Sequence, residues 1–163
     1  MAGKRVLAFD FGASSGRAIL ASYEDGKISM QEIHRFSNDP VTVCGVFHWD
    51  VLRLFFEIKQ GITKAVHQGG FDAIGIDTWG VDFGLLDKKG RLLNTPVHYR
   101  DERTVGMIEK VFETIPAEEL YGRTGIQFAR LNTLFQLAAL RQDEPETLAQ
   151  AETLLLMPDL FAY

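Results

Sequence analysis

Residues 6–20, Val6-Leu7-Ala8-Phe9-Asp10-Phe11-Gly12-Ala13-Ser14-Ser15-Gly16-Arg17-Ala18-Ile19-Leu20, constrain this chain more than any other stretch. An apolar run ends in an acid, a small-residue turn follows, and a second apolar run starts just after an arginine. The pattern predicts strands over 5–10 and 17–23 joined by the turn Gly12 to Gly16. Such a hairpin gathers one carboxylate (Asp10), two hydroxyls (Ser14, Ser15), several unencumbered backbone N–H groups and one cation (Arg17). That inventory suits a phosphate and its metal. Successive N–H groups form a nest for an anion. Asp10 would orient Mg²⁺ through water, because this ion keeps most of its hydration shell and takes few carboxylates. The turn lacks the glycine-lysine ending of a P-loop and the dinucleotide glycine pattern, and it joins two strands rather than a strand to a helix. A plain tight turn with an exposed arginine is the alternative, as is Arg17 bracing the hairpin by pairing with Asp10 or another acid.

The rest of the chain supplies a frame for that hairpin. Glu24-Asp25-Gly26-Lys27 signals a turn, and Ile28 to Phe36 a third antiparallel strand. Residues 37–48 are expected to be a loop, broken by Asn38-Asp39-Pro40. Asp50 is a suitable N-cap for a helix with Leu54, Phe55, Ile58, Ile62, Ala65 and Val66 on one stripe, stopped by Gly69-Gly70. Asp72 to Gly80 then reads as a strand lying parallel to the first, since it follows a long crossover. Val81 to Leu86 and Arg91 to Leu93 suggest a hairpin. Thr104 is expected to cap a helix ending at Pro116, Asn132 another, and Asp143-Glu144-Pro145 a short third, before a last strand over 153–157. The order is β-β-β-α-β-α-β with an inserted helical region: a mixed sheet with helices against it.

Composition narrows the function classes. The 163 residues suffice for one domain with its own core. A net charge of −5 with scattered Lys and Arg offers no basic face for nucleic acid. The single cysteine, Cys44, excludes an internal disulfide and a multi-cysteine metal site, which fits a reducing cytoplasm. The start, Met1-Ala2-Gly3-Lys4-Arg5, leads into an apolar run too short for a secretory signal or a membrane span. His34, His48, His67 and His98 show no ligand spacing, so no zinc site is expected.

A second candidate is Asp77-Thr78-Trp79-Gly80-Val81-Asp82, at the end of the parallel strand, where crevices in open α/β sheets lie. An indole face followed by glycine and a carboxylate suits a polyhydroxylated ligand. The alternative has Trp79 in the core and Asp82 in solvent. A third stretch, Tyr99-Arg100-Asp101-Glu102-Arg103, is by itself a surface charge run or a helix start.

Asp10 to Arg17, Glu32-Ile33-His34-Arg35-Phe36 and Ile74 to Phe83 together resemble the FGGY carbohydrate kinases. Tyr99-Arg100-Asp101, Gly125-Ile126-Gln127-Phe128, Asn132-Thr133-Leu134 and Leu155-Leu156-Met157-Pro158-Asp159 continue the likeness in the same order, so that it runs from about Val6 to Tyr163. Within the family the Ala13–Arg17 turn and the Asp77–Asp82 run are closest to members acting on L-rhamnulose. The resemblance implies an α/β ribonuclease H-like N-terminal domain of the actin/hexokinase superfold, in a two-domain enzyme with ATP and sugar between domains. It implies transfer of the γ-phosphate of ATP to the C1 hydroxyl of L-rhamnulose, giving L-rhamnulose 1-phosphate in rhamnose catabolism. Xylulose and fuculose are the alternative ketoses, because methyl or hydroxyl differences are worth as little as ~1–3 kcal/mol in a pocket.

By the same likeness Asp10, Gly12, Ala13, Ser14, Ser15, Gly16 and Arg17 would contact ATP phosphates, with Asp10 also holding Mg²⁺. Trp79, Gly80, Asp82, Arg100 and Asp101 would line the sugar site. The general-base aspartate and the adenine-binding residues are expected beyond Tyr163, in a C-terminal ATPase-type domain absent from residues 1–163. Alone, then, the chain is expected to have negligible kinase activity. No nucleic-acid or membrane partner is expected. Two other classes share parts of this pattern: a ribonuclease H-like nuclease, which needs three or four acids for two metals, and a non-catalytic sugar or nucleotide sensor.

Overall fold

A computed structural model describes residues 3–163, so that Met1 and Ala2 of the basic N-terminal start lie outside the described residues. Two compact units divide them: residues 3–41, 49–80 and 156–163 form the first, residues 42–48 and 81–155 the second.

The first unit is built on a mixed four-stranded sheet in the order β3-β2-β1-β6. Strand β1 (Lys4–Phe11) buries Leu7, Phe9 and Phe11 on one face, and β2 (Ser15–Glu24) buries Gly16, Ala18 and Leu20 on the same side. The period of two selects this pairing, with Asp10 opposite Arg17 in the antiparallel register. Strand β3 (Lys27–Ser37) completes the meander. Strand β6 (Ala73–Asp77) runs parallel to β1 as expected and sets Asp77 beside Asp10.

Helix α1 (Val51–His67) covers the sheet with Val51, Leu54, Ile58 and Ala65, and Asp50 caps it by accepting the Arg53 N–H at 3.1 Å. Each large apolar side chain so buried contributes about 1.5–3 kcal/mol. The helix approaches closely because of Gly61, where a Cβ would lie 2.7 Å from the Phe9 ring. Helix α6 (Met157–Ala162) stacks Phe161 on Phe11, centroids 5.2 Å apart.

The second unit holds two small sheets and four helices. Residues 37–48, expected to be a loop, contain a short hairpin instead: β4 (Val41–Val43) and β5 (Val46–His48), turning through Cys44 and Gly45 at φ 51° and 85°. Its β5 strand is held by tertiary partners, since His48 bridges Val97 and Phe47 hydrogen-bonds around His98. Strand β7 (Phe83–Leu86) turns back at Asp87–Gly90, as expected, and Leu93 N–H donates to the Leu85 carbonyl at 2.9 Å. The last strand, β8 (Thr153–Leu156), pairs with β7 in a separate sheet and gives way to α6 at Met157.

The helix expected from Thr104 is divided. Asp101 caps a 3-10 turn over Glu102–Thr104, Gly106 at φ 75° breaks the chain, and α2 spans only Met107–Phe112. Pro116 then opens α3 (Ala117–Thr124), which the weak apolar pattern there does not announce. Helices α4 (Thr133–Asp143) and α5 (Pro145–Gln150) follow as expected. Met107, Leu120, Phe135 and Ala139 form one core, and Phe83, Leu85 and Leu140 another. Among the described residues no helix is long and apolar enough to cross a membrane.

Candidate functional site

The turn from Gly12 to Gly16 is a hairpin tip in which the carbonyls of Gly12, Ser14 and Ser15 are engaged. Gly12 N–H donates to the Ser15 carbonyl at 2.8 Å, which closes the turn. Asn38, 3% exposed, straps it from the end of β3: its side-chain amide donates to the Gly12 carbonyl at 2.9 Å and its backbone N–H to the Ser14 carbonyl at 3.0 Å. With those three carbonyls engaged, the exposed tip at Ala13 and Ser14 offers backbone N–H donors to an incoming group, the polarity an anion requires. Gly16 is required by packing, since a Cβ there would run into the Phe36 ring.

Arg17 stands at the exit of the turn and donates from Nε and Nη2 to one oxygen of Asp10, at 2.9 and 2.7 Å. The second Asp10 oxygen takes no part in this pair. On the neighbouring strand the Asp77 Oδ1 accepts the Thr78 N–H at 3.0 Å. One carboxylate with a free oxygen, near a cradle of donors, fits a hydrated Mg²⁺ that meets protein through water. Among the described residues no group of three or more His, Cys, Asp or Glu is gathered, so the acid set that a two-metal nuclease requires is not found there.

The remaining expected site residues fall in both units. Trp79 and Gly80 belong to the first. Trp79 stacks on the fully buried Trp49, centroids 3.8 Å apart, and so is neither free in solvent nor deep in the core. Gly80 is exposed, with open space where a Cβ would be.

Asp82, Arg100 and Asp101 belong to the second unit. Asp82 is fully buried rather than solvated, and accepts from Gln136 Nε2 at 2.8 Å and from the Tyr99 N–H at 3.2 Å. Asp101 is also buried: one oxygen caps the 3-10 turn through the Arg103 N–H at 2.9 Å, the other accepts the Phe47 N–H at 2.8 Å. Arg100 is exposed, its guanidinium 5.4 Å from the centre of the Tyr99 ring. Asp82 and Asp101 therefore brace backbone, and Arg100 alone of the three presents a charge to solvent.

Burial shapes the charges around these residues. It pushes the His98 imidazole down to about 4, Arg100 adding to the effect and Asp101 opposing it. His98 is thus neutral at pH 7, and its Nδ1 accepts the Arg100 N–H at 3.0 Å. Burial also holds the Arg103 guanidinium below its usual range, against the pull of Asp101 and Asp82. On α1, burial raises the Glu57 carboxyl, but hydrogen bonds from Arg53 at 2.6 Å and His34 at 2.6 Å outweigh it, leaving the group below the ordinary range.

Sequence reasoning missed Asn38, Trp49, Thr133 and Gln136. Asn38 was legible only as a loop breaker. Trp49 and Trp79 are the chain's two tryptophans, and that scarcity is the one signal that could have paired them.

The sheet with its β1–β2 hairpin and parallel β6 has solved counterparts. The gluconate kinase from Lactobacillus acidophilus matches at a TM-score of 0.79 and 17% identity, over 94% of this chain and 31% of that one. The xylulose kinase from Rhodospirillum rubrum matches at 0.77 and 17%, over 98% of this chain and 34% of that one. These likenesses define the class of fold, an α/β domain of the actin/hexokinase type. Over residues 5–163 the chain matches the N-terminal domain of the FGGY family of carbohydrate kinases, and it belongs to that family. It is 47% identical over 163 residues to a rhamnulokinase from Klebsiella pneumoniae (strain 342), covering 98% of this chain and 33% of that protein. A rhamnulokinase from Bacteroides thetaiotaomicron is 46% identical over 158 residues, covering 96% and 33%. The chain thus spans about a third of the length of the curated relatives it matches.

Proposed function

We propose that this chain is the phosphate-cradling and ketose-contacting part of a two-domain, ATP-dependent kinase that phosphorylates L-rhamnulose at its C1 hydroxyl. The observation that carries the reading is the Gly12–Gly16 tip, with its Gly12, Ser14 and Ser15 carbonyls engaged and with Arg17 and Asp10 beside it, in a chain 47% identical to a rhamnulokinase.

In this reading the turn from Ala13 to Arg17 receives the phosphates of ATP, with the N–H groups of Ala13 and Ser14 as backbone donors, and Arg17 moves from Asp10 onto a phosphate oxygen. Asp10 holds the water shell of Mg²⁺, which when bound neutralises charge on the phosphates. The indole of Trp79, backed by Trp49, packs against the apolar side of the ketose. Gly80 lets the sugar approach the backbone. Asp82 and Asp101 brace the backbone of the second unit, at Tyr99 and at Phe47 and Arg103. The C1 hydroxyl oxygen attacks the γ-phosphorus, the bond to the β–γ bridging oxygen breaks, and ADP leaves. The hydroxyl proton passes to an aspartate outside these residues, and the adenine is held outside them too. Phosphoryl transfer rests on positioning and charge stabilisation, so the 163 residues alone are expected to release no ADP. A reducing cytoplasm is the compartment proposed.

The test is ADP release by the full-length protein carrying this chain across L-rhamnulose, L-fuculose and D-xylulose. Fastest turnover per unit concentration with L-rhamnulose supports the reading. A preference for another ketose replaces the substrate, and no ketose-dependent ADP release removes the kinase assignment.

A further inference from the structure

Val81 follows Gly80 directly and sits at φ 71°. A β-branched residue there is a true outlier, because its side chain crowds the neighbouring backbone, and such strain persists only where the surroundings over-determine it. Asp25 and Cys44 also have positive φ, but they lie at hairpin tips, where that conformation is ordinary. Val81 is in no such turn.

What over-determines Val81 comes from the first turn of α4. Thr133 Oγ1 donates to the Val81 carbonyl at 2.8 Å, and Gln136 Nε2 donates to it at 3.3 Å. The same Gln136 amide donates to Asp82 Oδ1 at 2.8 Å and to the Leu131 carbonyl at 2.9 Å, so two protons are shared among three acceptors. Its Oε1 accepts from Arg103 Nη2 at 2.8 Å. Gln136 is 1% exposed. A buried amide used on both ends specifies one geometry, whereas an apolar residue would serve helix packing without demanding partners. Gly80, by contrast, has open space around its Cβ position.

We infer that Thr133 and Gln136 are positioning residues for the ketose. They hold Val81 in the left-handed conformation and thereby fix the peptide between Gly80 and Val81, on which contact at Gly80 depends. Neither touches the sugar. The inference rests on the proposed kinase reading and extends it to two side chains more than fifty positions along the chain.

Thr133→Val in the full-length protein removes the donor and keeps the volume. The ketose KM is expected to rise about tenfold, the value of one net hydrogen bond, while the ATP KM stays within about twofold. Adding Val81→Gly to Thr133→Val is expected to recover most of that loss, because glycine takes positive φ without strain. An unchanged ketose KM, an equal change in both KM values, or no recovery in the double variant overturns the inference. If the wild-type protein phosphorylates no ketose, the kinase reading fails by itself, and hydrogen exchange in the 163-residue chain then decides the clamp. Amides 80–82 are expected to exchange about tenfold faster in Thr133→Val, and again at the parental rate in the double variant. Unaltered exchange overturns the clamp.

Discussion

Arg17 lays two nitrogens, Nε and Nη2, on a single oxygen of Asp10, at 2.9 and 2.7 Å, across the antiparallel register of β1 and β2. Both side chains are nearly half exposed, 45% and 47%. Pairs so exposed are worth about 0–1 kcal/mol. Stability therefore does not account for the pair, and its place beside the donor tip does.

Arg17→Ala is accordingly expected to change the urea unfolding free energy by no more than about 1 kcal/mol. In the full-length protein it is expected to raise the ATP KM by tenfold or more, the loss of about 1.4 kcal/mol or more in a charge-assisted contact. The two measurements together separate a ligand-facing arginine from one that braces the hairpin, which would show the opposite pattern.

Gly16→Ala tests the opposite kind of residue. Its Cβ would strike the Phe36 ring, which packs edge-on against Phe11 at 5.2 Å. The cost is expected to be about 1–3 kcal/mol by urea unfolding of the chain, as for other overpacked cores. A neutral result would mean that the glycine serves the ligand rather than the core.

His98 gives stability a pH dependence. Its folded value, about 4, lies below the ordinary 6.5. Between these values the unfolded chain binds a proton that the folded chain refuses, so stability is complete above about pH 6.5 and falls steadily toward pH 4. Thermal melting at pH 7, 6, 5 and 4.5 should show this slope, and His98→Gln should flatten it. The depressed carboxyls of Glu57 and Asp87 add their losses only lower, as each takes up its proton.

Much of the first unit was legible because its signals are local. The period-two run into Asp10, the Asp50 cap and the double glycine after α1 each act within a few residues, and all three are where the sequence puts them. The β4–β5 hairpin was not legible: its strands are three residues each, and β5 is held by His98 and Val97 far along the chain. The helix expected from Thr104 failed for a nearer reason, since Gly106 at positive φ breaks an otherwise suitable stripe.

The candidate site divides in the same way. The Gly12–Gly16 turn is contiguous, and its place between two strands could be read directly. Asp82 was read as a sugar contact, with solvent as the alternative, because its partner Gln136 is 54 positions away and no pattern in one dimension joins them. Asn38 and Trp49 were missed likewise, since a strap or a stack is visible only once the strands are placed.

The central claim is that the Gly12–Gly16 turn cradles the phosphates of ATP. At 18.3 kDa the chain suits amide ¹H–¹⁵N mapping during titration with Mg²⁺–ATP. The largest saturable shifts are predicted at Ala13 to Arg17, and they are predicted to vanish in Arg17→Ala. Saturable shifts centred elsewhere, with Ala13 to Arg17 unmoved, would contradict it.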